Sequence, residues 1–221
     1  MHRRFPVVLV VLIAVLATPW ASYAQGSDIP SPEAYFGHVM GADRQLARWD
    51  RLLEYYELID AASDRIQVVE MGPSTLGNPF VSIFVSSAEN LANLDRIKEW
   101  NAVLSDPRGH SEAEVQEAVE NGRVVFVQSY GLHSTEVSPS QTAAEVVYEF
   151  ATRTDDEMVE ILDNTVSIII PMFNPDGNHI VTDWYNETVG TPYEGTPPPV
   201  LYHHYIGHDN NRDAFMQNTV E

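Results

Sequence analysis

The chain has no cysteine among its 221 residues. Disulfides, thiolate metal sites and cysteine nucleophiles are therefore excluded, and any metal site must be built from His, Asp and Glu. Basic residues are scarce: 12 Lys and Arg stand against 32 Asp and Glu, a formal net charge of −20. Such a surface repels a phosphate backbone, which excludes a general nucleic-acid-binding role, and it disfavours binding to anionic lipid. A long apolar run is also missing. The longest, Phe5 to Ala17, has 13 residues, too few to span a bilayer comfortably. The sequence has no GxSxG elbow, Walker loop, GxGxxG or HExxH, and no internal repeat or low-complexity tract.

What is present begins with export. His2-Arg3-Arg4 leads into the apolar run, and Ser22-Tyr23-Ala24 then precedes Gln25. That layout is a secretory signal peptide over residues 1–24, cleaved after Ala24. It implies a secreted or periplasmic protein with no stable membrane anchor. The remaining residues, 25–221, have the apolar share of one globular domain or part of a larger one.

Along that domain, apolar residues at helical spacing from Gly41 to Ala62 predict a helix. Ile66–Met71 and Phe80–Ser86, separated by Gly and Pro, predict a hairpin. Ser86-x-x-Glu89 and Ser111-x-x-Glu114 read as capping boxes opening two helices, the second closed by Gly122. Val124–Val127 reads as a strand buried on both faces, followed by a helix from Pro139 to Thr152 and a shorter one around Met158, Ile161 and Leu162. Val166–Met172 reads as another buried strand, ending in the turn Asn174-Pro175-Asp176-Gly177. Asp183–Pro199 reads as a long irregular loop. Helices alternating with apolar strands imply an α/β sandwich with a largely parallel central sheet, preceded by the hairpin.

Loops at the carboxyl ends of such strands are where ligands bind in open α/β sheets. One carries His133 and Glu136, an imidazole and a carboxylate close enough in sequence to share a zinc ion, or else a loop His beside a solvated Glu. The other leads to Asn211-Arg212, an amide and a guanidinium side by side that suit a carboxylate. Arg212 is the only Lys or Arg after Arg153, and is either used for an anionic ligand or ion-paired with Asp209 or Asp213. His203, His204 and His208 read as ordinary loop histidines.

Taken in order, Gly131-Leu132-His133-Ser134-Thr135-Glu136, Asn174-Pro175-Asp176-Gly177 and Asp209-Asn210-Asn211-Arg212 resemble the carboxypeptidase A-type zinc metallopeptidase family, over roughly residues 35 to 221. The resemblance implies a three-layer α/β/α sandwich around a mixed, largely parallel central sheet, and that His133 and Glu136 are the first two ligands of a Zn2+ cofactor. It implies that Asp209 supports His133, that Asn211 and Arg212 grip a substrate's terminal carboxylate, and that peptide or protein C-termini are the substrate. It also implies a third ligand His and a general-base Glu, neither of which has a counterpart before Glu221. The chain is accordingly expected to be the N-terminal portion of the catalytic domain, with its sheet incomplete at the C-terminus and little activity of its own. The family's carbonyl-polarising Arg is absent as well, with His203 or His204 in its neighbourhood, and Ala214 precedes Phe215 where an aromatic normally follows the Asn-Arg pair directly. Two other readings use the same scaffold: a non-catalytic secreted binding protein, and a zinc amidase acting on small acyl-amino acids.

Overall fold

The computed structural model describes residues 29–200 and 206–220. Residues 1–24, read above as a signal peptide, and His203 and His204 lie outside the described residues. In chain order the elements are helices α1 (Pro32–Phe36) and α2 (Trp49–Ala62), strands β1 (Ile66–Pro73) and β2 (Pro79–Val85), and helices α3 (Ala88–Ala92), α4 (Leu94–Ser105) and α5 (Glu112–Asn121). Strand β3 (Val124–Ser129), helices α6 (Ser138–Thr152) and α7 (Asp156–Asn164), strand β4 (Thr165–Ile170) and helix α8 (Pro175–Thr188) follow. A single 3-10 turn at Asn210–Arg212 comes last.

The four strands form one sheet in the order β1-β2-β4-β3. The hairpin β1–β2 and the pair β2–β4 are antiparallel, and β3–β4 is parallel. The sheet is therefore mixed, as expected, with one parallel pairing among the described strands. Register places Ile83 beside Ile169 and Phe84 beside Ile168, and Ile168 in turn beside Val127. Because strand side chains alternate between faces, Val81, Ile83, Val85 and Ile169 all point one way. They share a core with Trp49, Leu52, Tyr55, Tyr56 and Ile59 of α2 and with Ala144 and Val147 of α6. Burying each large apolar side chain of this group is worth about 1.5–3 kcal/mol. On the opposite face, Phe84, Val125, Val166 and Ile168 line one cavity together with Leu94, Ile97 and Ala102 of α4. Helices thus cover both sides, which makes the predicted α/β/α sandwich.

Local chemistry moves several predicted boundaries. The Gly41–Ala62 helix starts only at Trp49, whose N–H donates to Asn178 Oδ1 at 2.7 Å. The stretch ahead of it is irregular and includes Arg44 in the left-handed region at φ 61°. Helix α3 is capped by Ser87, not Ser86; Ser86 is buried and donates to the carbonyls of Leu162 and Thr165. The Ser111–Glu114 capping box forms as read. Asn174-Pro175-Asp176-Gly177 is the N-terminus of α8, with Asn174 as its cap and Pro175 in the first turn, a position where proline's missing N–H costs nothing. The loop expected from Asp183 therefore begins only after Thr188.

The largest correction concerns β3. Val124, Val125, Phe126 and Val127 are 67%, 45%, 55% and 60% exposed rather than buried on both faces. Strand β3 is the edge of the described sheet, and the helices that follow and precede it leave its flank uncovered.

Candidate metal and carboxylate site

The site grows from the ends of the parallel pair. Because β3 and β4 run the same way, the chain leaves both at the same edge of the sheet. Pairing continues past the strands: Tyr130 N–H donates to Ile170 O at 2.9 Å, Phe173 N–H to Tyr130 O at 2.7 Å and Asn174 N–H to Gly131 O at 3.1 Å. The two loops are zipped together by backbone bonds. Gly131 sits at φ 65°, where a Cβ would lie 2.8 Å from Met172 Sδ. Only glycine takes that backbone shape at that separation without strain.

Loop 131–136 then lies across the first turn of α8. Asn174 Oδ1 accepts the Gly177 N–H at 2.8 Å, and its amide donates to Leu132 O at 3.4 Å. A Cβ on Gly177 would come within 2.6 Å of Ser134 Oγ, so this glycine is what allows the loop to sit so low. Asp176 faces the other way and is 1% exposed. Its carboxylate accepts from Ser74 Oγ, from Leu76 N–H at 2.8 Å and from Asn78 Nδ2 at 2.6 Å, fastening α8 to the turn between β1 and β2.

Residues 206–220 complete the site. Asp213, buried at 5%, organises them. Its Oδ2 accepts from the Asn218 N–H (2.7 Å), the Thr219 N–H (2.8 Å) and the Thr219 hydroxyl (3.0 Å), and its Oδ1 faces His208 Nε2 at 2.8 Å. The Thr219 N–H above all, with the His208 and Asn218 contacts, holds the Asp213 carboxyl down at about 2. Val220 N–H donates to Thr75 Oγ1 at 3.0 Å, so the same hairpin turn that grips α8 also receives this segment.

These supports bring His133 and the 209–212 turn together. His133 Nδ1 lies 3.0 Å from Asp209 Oδ1, so the carboxylate takes the Nδ1 proton and Nε2 carries the lone pair. Asn211 Nδ2 donates to that Nε2 at 3.2 Å, and Arg212 donates to Asn211 Oδ1 at 2.6 Å. His133, Asp209, Asn211 and Arg212 are thus one connected group; the Asp209–His133 contact is the one the resemblance implies, whereas nothing in the sequence points to the bond from Asn211 to His133. Glu136 belongs to the same loop through its N–H, which donates to His133 O at 2.9 Å; its exposed side chain has no hydrogen-bond partner among the described residues. Arg212 is exposed and pairs with neither Asp209 nor Asp213 among the described residues, since Asp209 serves His133 and Asp213 serves His208.

The donor chemistry fits a zinc ion in kind. An imidazole with a carboxylate on one nitrogen and, on the other, a lone pair that the Asn211 amide occupies here and would have to release, and a carboxylate three residues on with no hydrogen-bond partner among the described residues, are groups that zinc takes. The described residues supply two such donors and gather no cluster of three His, Asp or Glu. Sequence reading singled out His133, Glu136, Asp209, Asn211 and Arg212, of which the structure gathers His133, Asp209, Asn211 and Arg212. It passed over the roles of Asp176, visible within a quoted motif, and of Asp213, which nothing in the sequence set apart.

No curated protein matches the chain. Among solved structures it is similar to bovine thrombin-activatable fibrinolysis inhibitor in complex with tick carboxypeptidase inhibitor, at 14% identity and a TM-score of 0.40, with 63% of this chain and 34% of that one covered. It is similar to carboxypeptidase A from Helicoverpa armigera, at 17% identity and a TM-score of 0.43, covering 72% and 32%. A metallo-carboxypeptidase from Burkholderia cenocepacia follows at 14% and 0.37, covering 60% and 28%. The chain spans about a third of the length of these proteins. The sequence profile of the zinc carboxypeptidase family matches residues 52–219, well over half of the chain. The chain belongs to the zinc carboxypeptidase family.

Proposed function

We propose that this chain carries the metal-facing and carboxylate-gripping part of an exported zinc metallocarboxypeptidase, which removes residues from peptide C-termini by hydrolysis. One observation carries the reading: His133 and the Asn211-Arg212 pair, 78 residues apart in sequence, meet at 3.2 Å with Asp209 on the far ring nitrogen. His133 and Glu136 would hold the zinc, with a further ligand outside the described residues. When bound, zinc activates a water and polarises the scissile carbonyl.

The chain's own residues then have separate tasks. Asp209 fixes the tautomer and tilt of His133. Arg212, exposed and free of a carboxylate partner among the described residues, offers its guanidinium to the substrate's terminal carboxylate, and Asn211 offers its amide. That grip selects a chain end over an internal bond. Export follows from the basic start, apolar run and small-residue cleavage site of residues 1–24.

The test compares peptides with free and amidated C-termini on the complete zinc-loaded enzyme, with its further ligand in place, and on its Arg212→Ala variant. A charge-assisted hydrogen bond is worth about 1.5–3 kcal/mol, so Arg212→Ala should cost about 10- to 150-fold in kcat/KM for free C-termini. Amidation should cost the wild type a similar factor and the variant little more, since the same contact is removed twice. An Arg212→Ala protein that melts earlier yet keeps its preference for free C-termini would overturn the assignment.

A further inference from the structure

A cavity of about 600 Å3 opens beside the loop that carries His133 and Glu136. Four segments wall it: residues 41–46 ahead of α2, residues 135–141 across the end of that loop and the start of α6, the outer face of α8, and residues 195–198. Thr135 lies between the two candidate zinc ligands in sequence and lines the cavity, so cavity and metal position share a wall. No residue of the Asp209–Arg212 turn lines it.

The lining is chiefly apolar, through Leu46, Val137, Val181, Trp184 and Pro198. Its shape is braced without any occupant. Trp184 Nε1 donates to Thr196 O at 2.9 Å, and the Gly41 N–H donates to Oε1 of the buried Gln141 at 3.2 Å. Arg44 pairs with Glu194 at 2.9 Å, and the same Glu194 accepts the Gly190 N–H at 2.8 Å. These bonds tie the segment before α2, α6, and the loop after α8 to one another around the opening. The ion pair also cancels the charge of Arg44 at the mouth. A preformed pocket of several hundred Å3 with apolar walls and a few fixed polar groups is what binding sites for bulky apolar groups share.

We propose that this cavity is a specificity pocket for a large apolar side chain, aromatic by preference, of the peptide upstream of the bond cleaved. The assignment rests on the carboxypeptidase reading. A peptide held by its carboxylate at Asn211 and Arg212 has its final residue on that side of His133. The stretch that passes the candidate metal ligands and reaches Thr135 is the part before the final residue. Trp184 and Pro198 offer flat faces to a ring there, and the polar rim keeps to itself.

Calorimetric titration of the full chain with N-acetylated tetrapeptides tests this, using peptides whose last amide is replaced by a ketomethylene so that none is cleaved. One peptide has phenylalanine and the other alanine at the two positions before the shared C-terminal residue. Burying an aromatic side chain should tighten Kd by about 10- to 100-fold for the phenylalanine peptide. Trp184→Ala and, separately, Leu46→Gln should erase most of that ratio and leave the ratio between free and amidated C-termini unchanged. Equal affinity for the two peptides on the wild-type chain, with amidation still weakening binding, overturns the pocket and leaves the carboxypeptidase reading standing. If amidation changes nothing, the reading fails and the assignment falls with it.

Discussion

Replacing Asp176 by alanine should unfasten the candidate site from beneath while leaving His133, Glu136, Asn211 and Arg212 in place in the sequence. The side chain is 1% exposed and accepts from the Ser74 hydroxyl, the Leu76 N–H and the Asn78 amide. A hydrogen bond to a charged group contributes about 1.5–3 kcal/mol, and a buried donor left without a partner costs its desolvation as well. Ser74, at 3% exposed, cannot turn to water, whereas Leu76 and Asn78 lie in a turn that reaches solvent. The lower end of the range therefore applies to two of the three, and we expect a loss of about 4.5–6 kcal/mol. That is a large part of the 5–15 kcal/mol typical of a whole domain. With a urea slope of about 2 kcal/mol/M, the unfolding midpoint should fall by about 2–3 M. Asp176→Asn keeps the shape but turns one acceptor into a donor facing other donors, so it should lose nearly as much. Equilibrium unfolding followed by tryptophan fluorescence measures both. A midpoint shift below about 0.5 M for Asp176→Ala would refute the claim that this carboxylate couples α8 to the hairpin.

Acid should loosen the segment that carries Asn211 and Arg212 before it unfolds the sheet. Asp213 is held at about 2 from an ordinary 3.8, so its contribution is complete above the ordinary carboxylate range and is lost as pH falls from about 4 through 2. Hydrogen exchange at the Asn218 and Thr219 amides should be slow at pH 6, after correction for intrinsic rates, and clearly faster relative to the core at pH 3. Asp213→Asn should remove that difference, and an unchanged profile in the variant would sink the assignment. The open β3 edge makes a separate demand. Phe126→Lys places a charge on an exposed apolar edge strand, which should suppress strand-to-strand association; light scattering should show the wild-type chain associating at lower concentration than the variant, and the reverse order would show that β3 is not the sticky surface.

Most elements were legible in the sequence because their signals are local. The Ser111–Glu114 box, the Gly- and Pro-rich turn between β1 and β2 and the helix read from Pro139 to Thr152 each rest on residues close in sequence, and the structure has them where the pattern puts them. His133, Glu136, Asn211 and Arg212 stood out as candidates for a different reason: residue types with few other uses stood in three ordered motifs. Local pattern failed where two segments compete for the same group. Trp49 starts α2 because Asn178, far along the chain, takes its N–H, and Ser86 leaves its capping role because the α7–β4 junction offers it two carbonyls. Apolar composition made β3 a strand but could not say whether a neighbour covers it, since burial belongs to the sheet and not to the run. Tertiary structure alone decided what holds the site in place. His133 meets Asn211 only because Asp176 and Thr75 fix α8 and the last described segment to one hairpin turn, and because Asp213 folds that segment on itself. Those contacts join residues up to 145 apart in sequence, a separation at which periodicity carries no information.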